Sequence, residues 1–161
     1  MSQLLTFRDD LRPGDPEAIR HIIESSGFFH DYEVDVAVEI AEERLNRGLS
    51  TGYHFILAES GDEVVGYVCF GTIACTASSW DCFWIAVRDD FRDQKLGSEL
   101  LLRCERRVKE LGGTRLYVET SSRALYEPTR AFYERRAYHK EVVLEEFYAP
   151  GDGKVIYVKV L

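Results

Sequence analysis

The apolar positions of this chain fall into short strand-like runs and longer helical stripes. Leu4 to Phe7 reads as a strand. Asp15 is suited to cap the next helix, with Pro16 at its first position. Ala18, Ile19, Ile22 and Ile23 form its apolar face, and Gly27 ends it. A second helix runs from about Tyr32 to Arg47, with Val34, Val38, Ala41 and Leu45 on one face and Gly48 as its stop. Tyr53 to Glu59 and Val64 to Thr72 are strands joined by the tight turn Ser60-Gly61-Asp62. After a loop from Ala74 to Ser79, Asp81 to Arg88 is a strand. Its run Cys82 to Val87 is continuously apolar, as in a sheet covered on both faces. Leu96, Leu100, Leu101, Cys104, Val108 and Leu111 make the clearest helical stripe, closed by Gly112-Gly113. Thr114 to Thr120 is a strand, Pro128 to Arg136 a short helix, and Tyr138 to Phe147 and Lys154 to Val160 two final strands.

The pattern predicts about seven strands and four helices, an α/β (α+β) fold. Composition fits a single domain over residues 1–161: 45% of the residues are hydrophobic and 12% aromatic, enough for one core. No linker or internal repeat divides the chain. No apolar run approaches the ~20 residues of a membrane span, and no signal peptide is read at the N-terminus. The net charge of -8 disfavours nucleic acid as a partner and fits a cationic substrate such as an amine. Cys69, Cys75, Cys82 and Cys104 form no C-x-x-C pair and have no histidine at ligand spacing. They read as reduced thiols of a cytoplasmic protein that uses no metal. Small oligomeric enzymes are commonly dimers, but no feature locates an interface.

The chemistry begins with the strand-turn-helix from Phe83 to Leu111. The first N–H groups of a helix lack internal acceptors, and its dipole favours an anion there. Gly97 admits close approach, and Arg92 and Lys95 add positive charge.

This unit resembles the pyrophosphate loop Q/R-x-x-G-x-G/A of the GNAT superfamily of N-acetyltransferases. The matching stretch is Arg92-Asp93-Gln94-Lys95-Leu96-Gly97, with Lys95 in place of the first glycine. A shifted register from Gln94 restores that glycine but ends in Glu99. The first register places Gly97 at the helix start, with Leu100 and Leu101 following. A second stretch, Thr129 to Tyr138, resembles the family's F/L-Y-x-K/R-x-G-F/Y motif, with Ala137 in place of glycine. Its tyrosine, Tyr133, matches the residue that protonates the departing CoA thiolate in many members. In Arg115 to Ser122, Glu119 is similar to the general base of ribosomal-protein N-terminal acetyltransferases. Phe147-Tyr148-Ala149-Pro150 is similar to a Tyr-Tyr-Pro-like segment of those enzymes. Asp81, at the start of the central strand, is a competing base.

The resemblance implies a mixed, mostly antiparallel GNAT sheet. It implies transfer of an acetyl group from acetyl-CoA to a primary amine by direct attack, without a covalent enzyme intermediate. The implied cofactor residues are Ile85, Ala86, Val87, Arg92, Asp93, Gln94, Lys95, Leu96, Gly97 and Ser98. Phe29, Tyr32, Trp84 and Tyr148 are candidates for acceptor binding. The acceptor is open among a peptide N-terminus, a lysine, a polyamine and an aminoglycoside. A CoA-binding regulatory or interaction domain is the alternative reading.

Overall fold

A computed structural model describes residues 4–92 and 95–161. Asp93 and Gln94, two of the candidate cofactor residues, lie outside the described residues. In chain order the elements are β1 (Leu5–Arg8), α1 (Asp15–Ser26), α2 (Asp31–Arg47), β2 (His54–Ser60), β3 (Glu63–Thr72), β4 (Ser79–Val87), α3 (Leu96–Glu110), β5 (Arg115–Ser121), α4 (Glu127–Arg135), β6 (His139–Ala149) and β7 (Asp152–Val160). The strand order is β1-β2-β3-β4-β5-β7-β6. Strands β4 and β5 run parallel, while β1·β2, β2·β3, β5·β7 and β6·β7 are antiparallel. The mixed, mostly antiparallel sheet with four helices is the fold expected from the sequence.

The backbone groups into two compact units. One holds residues up to Gly71 together with Trp84–Arg107; the other holds Thr72–Phe83 and Val108–Leu161.

In the first unit, α1 contributes Ile19, Ile22 and Ile23 to the core, and α2 contributes Val34, Ala37 and Ala41. This three-and-four spacing puts each set on one helix face. Phe55 and Leu57 of β2, and Tyr67 and Cys69 of β3, alternate toward the same core. Gly66 of β3 has only its hydrogen where a Cβ would lie 3.2 Å from Leu96 and from Leu100 of α3. That close packing fixes the start of α3. Asp15 does not cap α1. The cap position is Gly14, and Asp15 is the first helical residue. Its carboxylate takes two bonds from the Arg8 guanidinium, both 2.7 Å, and one from the Arg12 N–H at 2.6 Å. A buried carboxylate is better satisfied by a bidentate guanidinium than by helix N–H groups alone.

In the second unit, alternate residues of β5 are buried: Leu116, Val118 and Thr120. Val118 and Thr120 pair with Tyr157 and Val155 of β7, which are buried on the same face. The apolar run of β4 is not covered on both faces as expected. Only Trp80 and Ala86 are buried in that strand, and Phe83 is 39% exposed. β5 accompanies β4 only from Ser79 to Cys82. Strand β6 is exposed along its whole length.

Candidate active site

Strand register collects the acidic groups. Asp81 of β4 pairs with Tyr117 of β5, and parallel partners share a face. Glu119 is two residues beyond Tyr117 and so lies on that face. Glu119 pairs with Ile156 of β7, which puts Lys154, two residues away, diagonally beside it. Asp81, Glu119 and Lys154 therefore occupy one face of the second unit, opposite its buried core face.

The contacts agree with this register. Lys154 Nζ lies 3.0 Å from Glu119 Oε2. The same ammonium stands 3.9 Å from the Phe147 ring centroid and 5.8 Å from that of Tyr148. Asp81 is half-buried, and its carboxyl is pushed up to about 6, first by loss of water and then by the nearby Glu119 charge; Lys154 pulls it back in part. A carboxyl that titrates near neutrality is suited to proton transfer at physiological pH.

Tyr133 sits on the other face. It is 5% exposed, and its ring packs edge-on against Phe132 and Tyr138 and tilts toward Tyr157. Tyr157 O–H donates to Glu134 at 2.8 Å. Burial and that carboxylate push the Tyr157 phenol up to about 12. The end of α4 fixes Tyr133 in place. Tyr138 N–H bonds back to the Tyr133 carbonyl, and Ala137 N–H to the Glu134 carbonyl. This is a Schellman motif, completed by contact between the Tyr133 and Tyr138 rings, 5.6 Å apart. The motif requires a left-handed residue after the helix, and Ala137 supplies it with φ 66°. Glycine suits that position best, which accounts for the glycine of the motif that Ala137 replaces.

The described residues of the segment read as an anion loop, Arg92 and Lys95 to Ser98, belong to the first unit. The Lys95 carbonyl accepts from Glu99 N–H at 3.1 Å, so Lys95 is the cap residue of α3. The N–H groups of Leu96 and Gly97 follow in the first turn, where a helix offers no internal acceptor. Lys95 is exposed and has φ 60°, again a left-handed backbone where the aligned motif has glycine. Glu99 pairs down the helix with Arg103, 2.7 Å away. The Arg92 guanidinium reaches the Ser26 carbonyl at 3.4 Å, pairs with Asp89 at 3.5 Å and lies over the Phe28 ring. Ile85, Ala86 and Val87 end β4, where Arg88 N–H donates to the Val65 carbonyl of β3. Ser98 lies in the first turn of α3.

Of the candidate acceptor residues, Phe29 and Trp84 come together in the first unit, ring centroids 5.3 Å apart, packed against its core. Tyr32 is 67% exposed and stacks on His30. Tyr148 is in the second unit, over Lys154. Sequence reasoning did not single out Lys154. Its position becomes legible only from the β5·β7 register, because it is far from Glu119 along the chain. Among the described residues, no three His, Cys, Asp or Glu side chains group as metal ligands, and no helix is long and apolar enough to cross a membrane.

The sequence profile described as the acetyltransferase (GNAT) family matches residues 17–138. A solved structure of a GNAT-family protein from Desulfovibrio desulfuricans is 40% identical, covers 98% of this chain and 99% of its own, and superposes with a TM-score of 0.96. The ribosomal-protein-S18-alanine N-acetyltransferase from Escherichia coli shares the fold at 19% identity, with 98% and 94% coverage and a TM-score of 0.75. The PaiA N-acetyltransferase from Thermoplasma acidophilum, solved in complex with coenzyme A, shares it at 18% identity, full coverage of both chains and a TM-score of 0.73. No curated protein matches the chain at a significant level.

Proposed function

The chain belongs to the acetyltransferase (GNAT) family, whose members move an acetyl group from acetyl-CoA to an amine, and from that premise we propose that Asp81 is its general base, Glu119 its ammonium-binding carboxylate and Tyr133 its general acid. The observation that carries this reading is the shared face of Asp81 and Glu119 with different partners. Glu119 is held by a cation at 3.0 Å. Asp81, raised to about 6, has the basicity to take a proton and the acidity to release it near neutral pH.

The acetyl-CoA thioester supplies an activated acyl carbon. Backbone N–H groups of Leu96 and Gly97, with the Arg92 and Lys95 side chains, hold its diphosphate. The left-handed Lys95 followed by a helix start is the kind of backbone concavity that binds anions. Ile85, Ala86 and Val87 serve the acyl arm, with backbone N–H groups near Ile85 and Ala86 as oxyanion donors.

Asp81 takes one proton from the acceptor's ammonium, which frees the nitrogen lone pair to bond to the acyl carbon, and the second N–H proton leaves to solvent as the tetrahedral intermediate collapses. An α-amine has an ordinary pKa near ~8 and a lysine-type amine near ~10.4, so the second depends more on the base. As the C–S bond breaks, Tyr133 gives its phenolic proton to the sulfur. A phenol (~10) is a weaker acid than a thiol (~8.5), so a completed transfer is uphill by about 2 kcal/mol and proceeds in concert with cleavage. No enzyme nucleophile is needed.

The acceptor is a primary amine, on a peptide or a small molecule. Residues 1–161 are read as one N-acetyltransferase domain, which the family match over residues 17–138 supports. Four cysteines, none of them joined in a disulfide, support a cytoplasmic setting.

Calorimetric titration with acetyl-CoA, followed by thiol release with a panel of amines, tests this. Micromolar binding and amine-dependent release of CoA are the expected results. Binding without release for any amine would leave a CoA-binding domain instead.

A further inference from the structure

Successive side chains of a strand point to opposite faces. Phe147 and Tyr148 are successive, yet both rings address one ammonium, that of Lys154. A bulge causes this. Leu144 pairs with Lys154 and Ala149 with Asp152, so Glu145–Tyr148 of β6 stand opposite Gly153 alone. Glu146 adopts φ 54°, a left-handed conformation that a side chain takes only at a steric cost. On β7, a Cβ at Gly153 would lie 2.9 Å from the Leu144 carbonyl oxygen, so this close approach requires glycine. Bulges of this kind re-aim side chains beside functional sites.

The product is a three-sided enclosure. The Phe147 and Tyr148 rings meet edge to face, 5.2 Å apart and at 89°. They form two perpendicular walls, and the Glu119 carboxylate is the third side. The Lys154 side chain inside is 13% exposed, while Phe147 and Tyr148 are 53% and 49% exposed. A cation is thus enclosed by aromatic walls whose outer surfaces reach solvent. A carboxylate and two π faces are the chemistry that recognises an ammonium group.

We propose that Glu119, Phe147 and Tyr148 form a cage for a primary ammonium, and that Lys154 is its built-in occupant, displaced when an amine acceptor enters. The proposal rests on the amine-acetyltransferase reading and narrows the acceptor to amines that arrive protonated on a slim, unbranched stem. Such an amine enters on the face that carries Asp81, the group assigned to deprotonate it. Lys154 sets the threshold for entry, because a tethered ammonium competes with every incoming one.

Lys154→Ala removes the equivalent of n-propylammonium, which is therefore the probe. Calorimetry without acetyl-CoA should show n-propylammonium chloride binding Lys154→Ala at least tenfold more tightly than wild type. Adding Phe147→Ala or Glu119→Gln to Lys154→Ala should abolish that gain, with thermal melts confirming folded protein. Equal affinity in wild type and Lys154→Ala, or a gain that survives Phe147→Ala, would overturn the cage. A second measurement uses the intact protein with lysine labelled at Cε. The Lys154 resonance, displaced by the Phe147 ring current, should return toward the ordinary lysine position as n-propylammonium is added. A resonance that stays put at saturation overturns the proposal even if Lys154→Ala fails to fold. Because binding is read without acetyl transfer, a cage that binds while no thiol is ever released counts against the transferase reading alone. Thiol release without cage binding counts against the cage alone.

Discussion

Glu119 on β5 and Lys154 on β7 are diagonal neighbours across an antiparallel pair, joined by an ion pair of 3.0 Å. The neighbouring Asp81 has no such partner among the described contacts and carries the unfavourable charge. Its folded pKa, about 6, lies above the ordinary value of 3.8. Between those pH values the folded protein binds more protons than the unfolded chain, so stability falls as pH rises from about 4 to about 6. Asp81→Asn should remove that loss. Its melting temperature should exceed that of wild type at pH 7.5, and the difference should vanish at pH 4. Melting curves across that range check it. An equal difference at both pH values would mean that Asp81 pays no ionisation cost on folding.

Tyr133→Phe should lower kcat roughly ten- to a thousand-fold, with the acetyl-CoA dissociation constant changed by less than about twofold. The ring packing against Phe132, Tyr138 and Tyr157 is kept in that variant, so only the hydroxyl is tested. Wild-type turnover would remove Tyr133 from the mechanism.

Both motif positions that lack glycine keep the backbone of glycine. Ala137 has φ 66° and Lys95 φ 60°. Ala137→Gly should stabilise the protein by about 1 kcal/mol in urea unfolding without changing kcat. Lys95→Gly should stabilise it similarly, but weaken CoA binding about tenfold in calorimetry, because a charge-assisted contact to phosphate is lost.

The elements were legible because their apolar spacing is regular. The stripe from Leu96 to Leu111 gives α3, and period-two burial gives β5. Tyr133 and Glu119 were legible as members of local motifs. Lys154 was not, because its relation to Glu119 exists only once β7 has taken its register on β5. The aim of Phe147 and Tyr148 was hidden for a related reason: alternation sends them to opposite faces, and the bulge at Glu146 overrides it. The role of Asp15 was misread for want of Arg8, which reaches it from β1. In each case a partner brought in by strand pairing or a turn decided the outcome, and apolar periodicity does not report such a partner.

That Arg8–Asp15 pair is structural. Both side chains are largely buried, 11% and 4% exposed, and Arg8 also binds Glu59 at 2.5 Å. Asp15→Ala leaves a buried guanidinium short of its partner and should cost about 3 kcal/mol in denaturant unfolding. Its kcat should match wild type wherever the variant is folded. A loss of kcat in folded protein would give the pair a catalytic role that its position in the first unit does not explain.

The assignment of the general base is tested most directly by the pH dependence of kcat/KM for wild type and Asp81→Asn, measured with one amine acceptor. Wild type should show an acid limb with an apparent pKa near 6, set by Asp81, apart from the amine's own ionisation at ~8 to ~10. In Asp81→Asn the limb near 6 should disappear along with most of the activity. A limb near 6 that persists in Asp81→Asn, with activity close to wild type, would contradict the assignment and return the proton to another group.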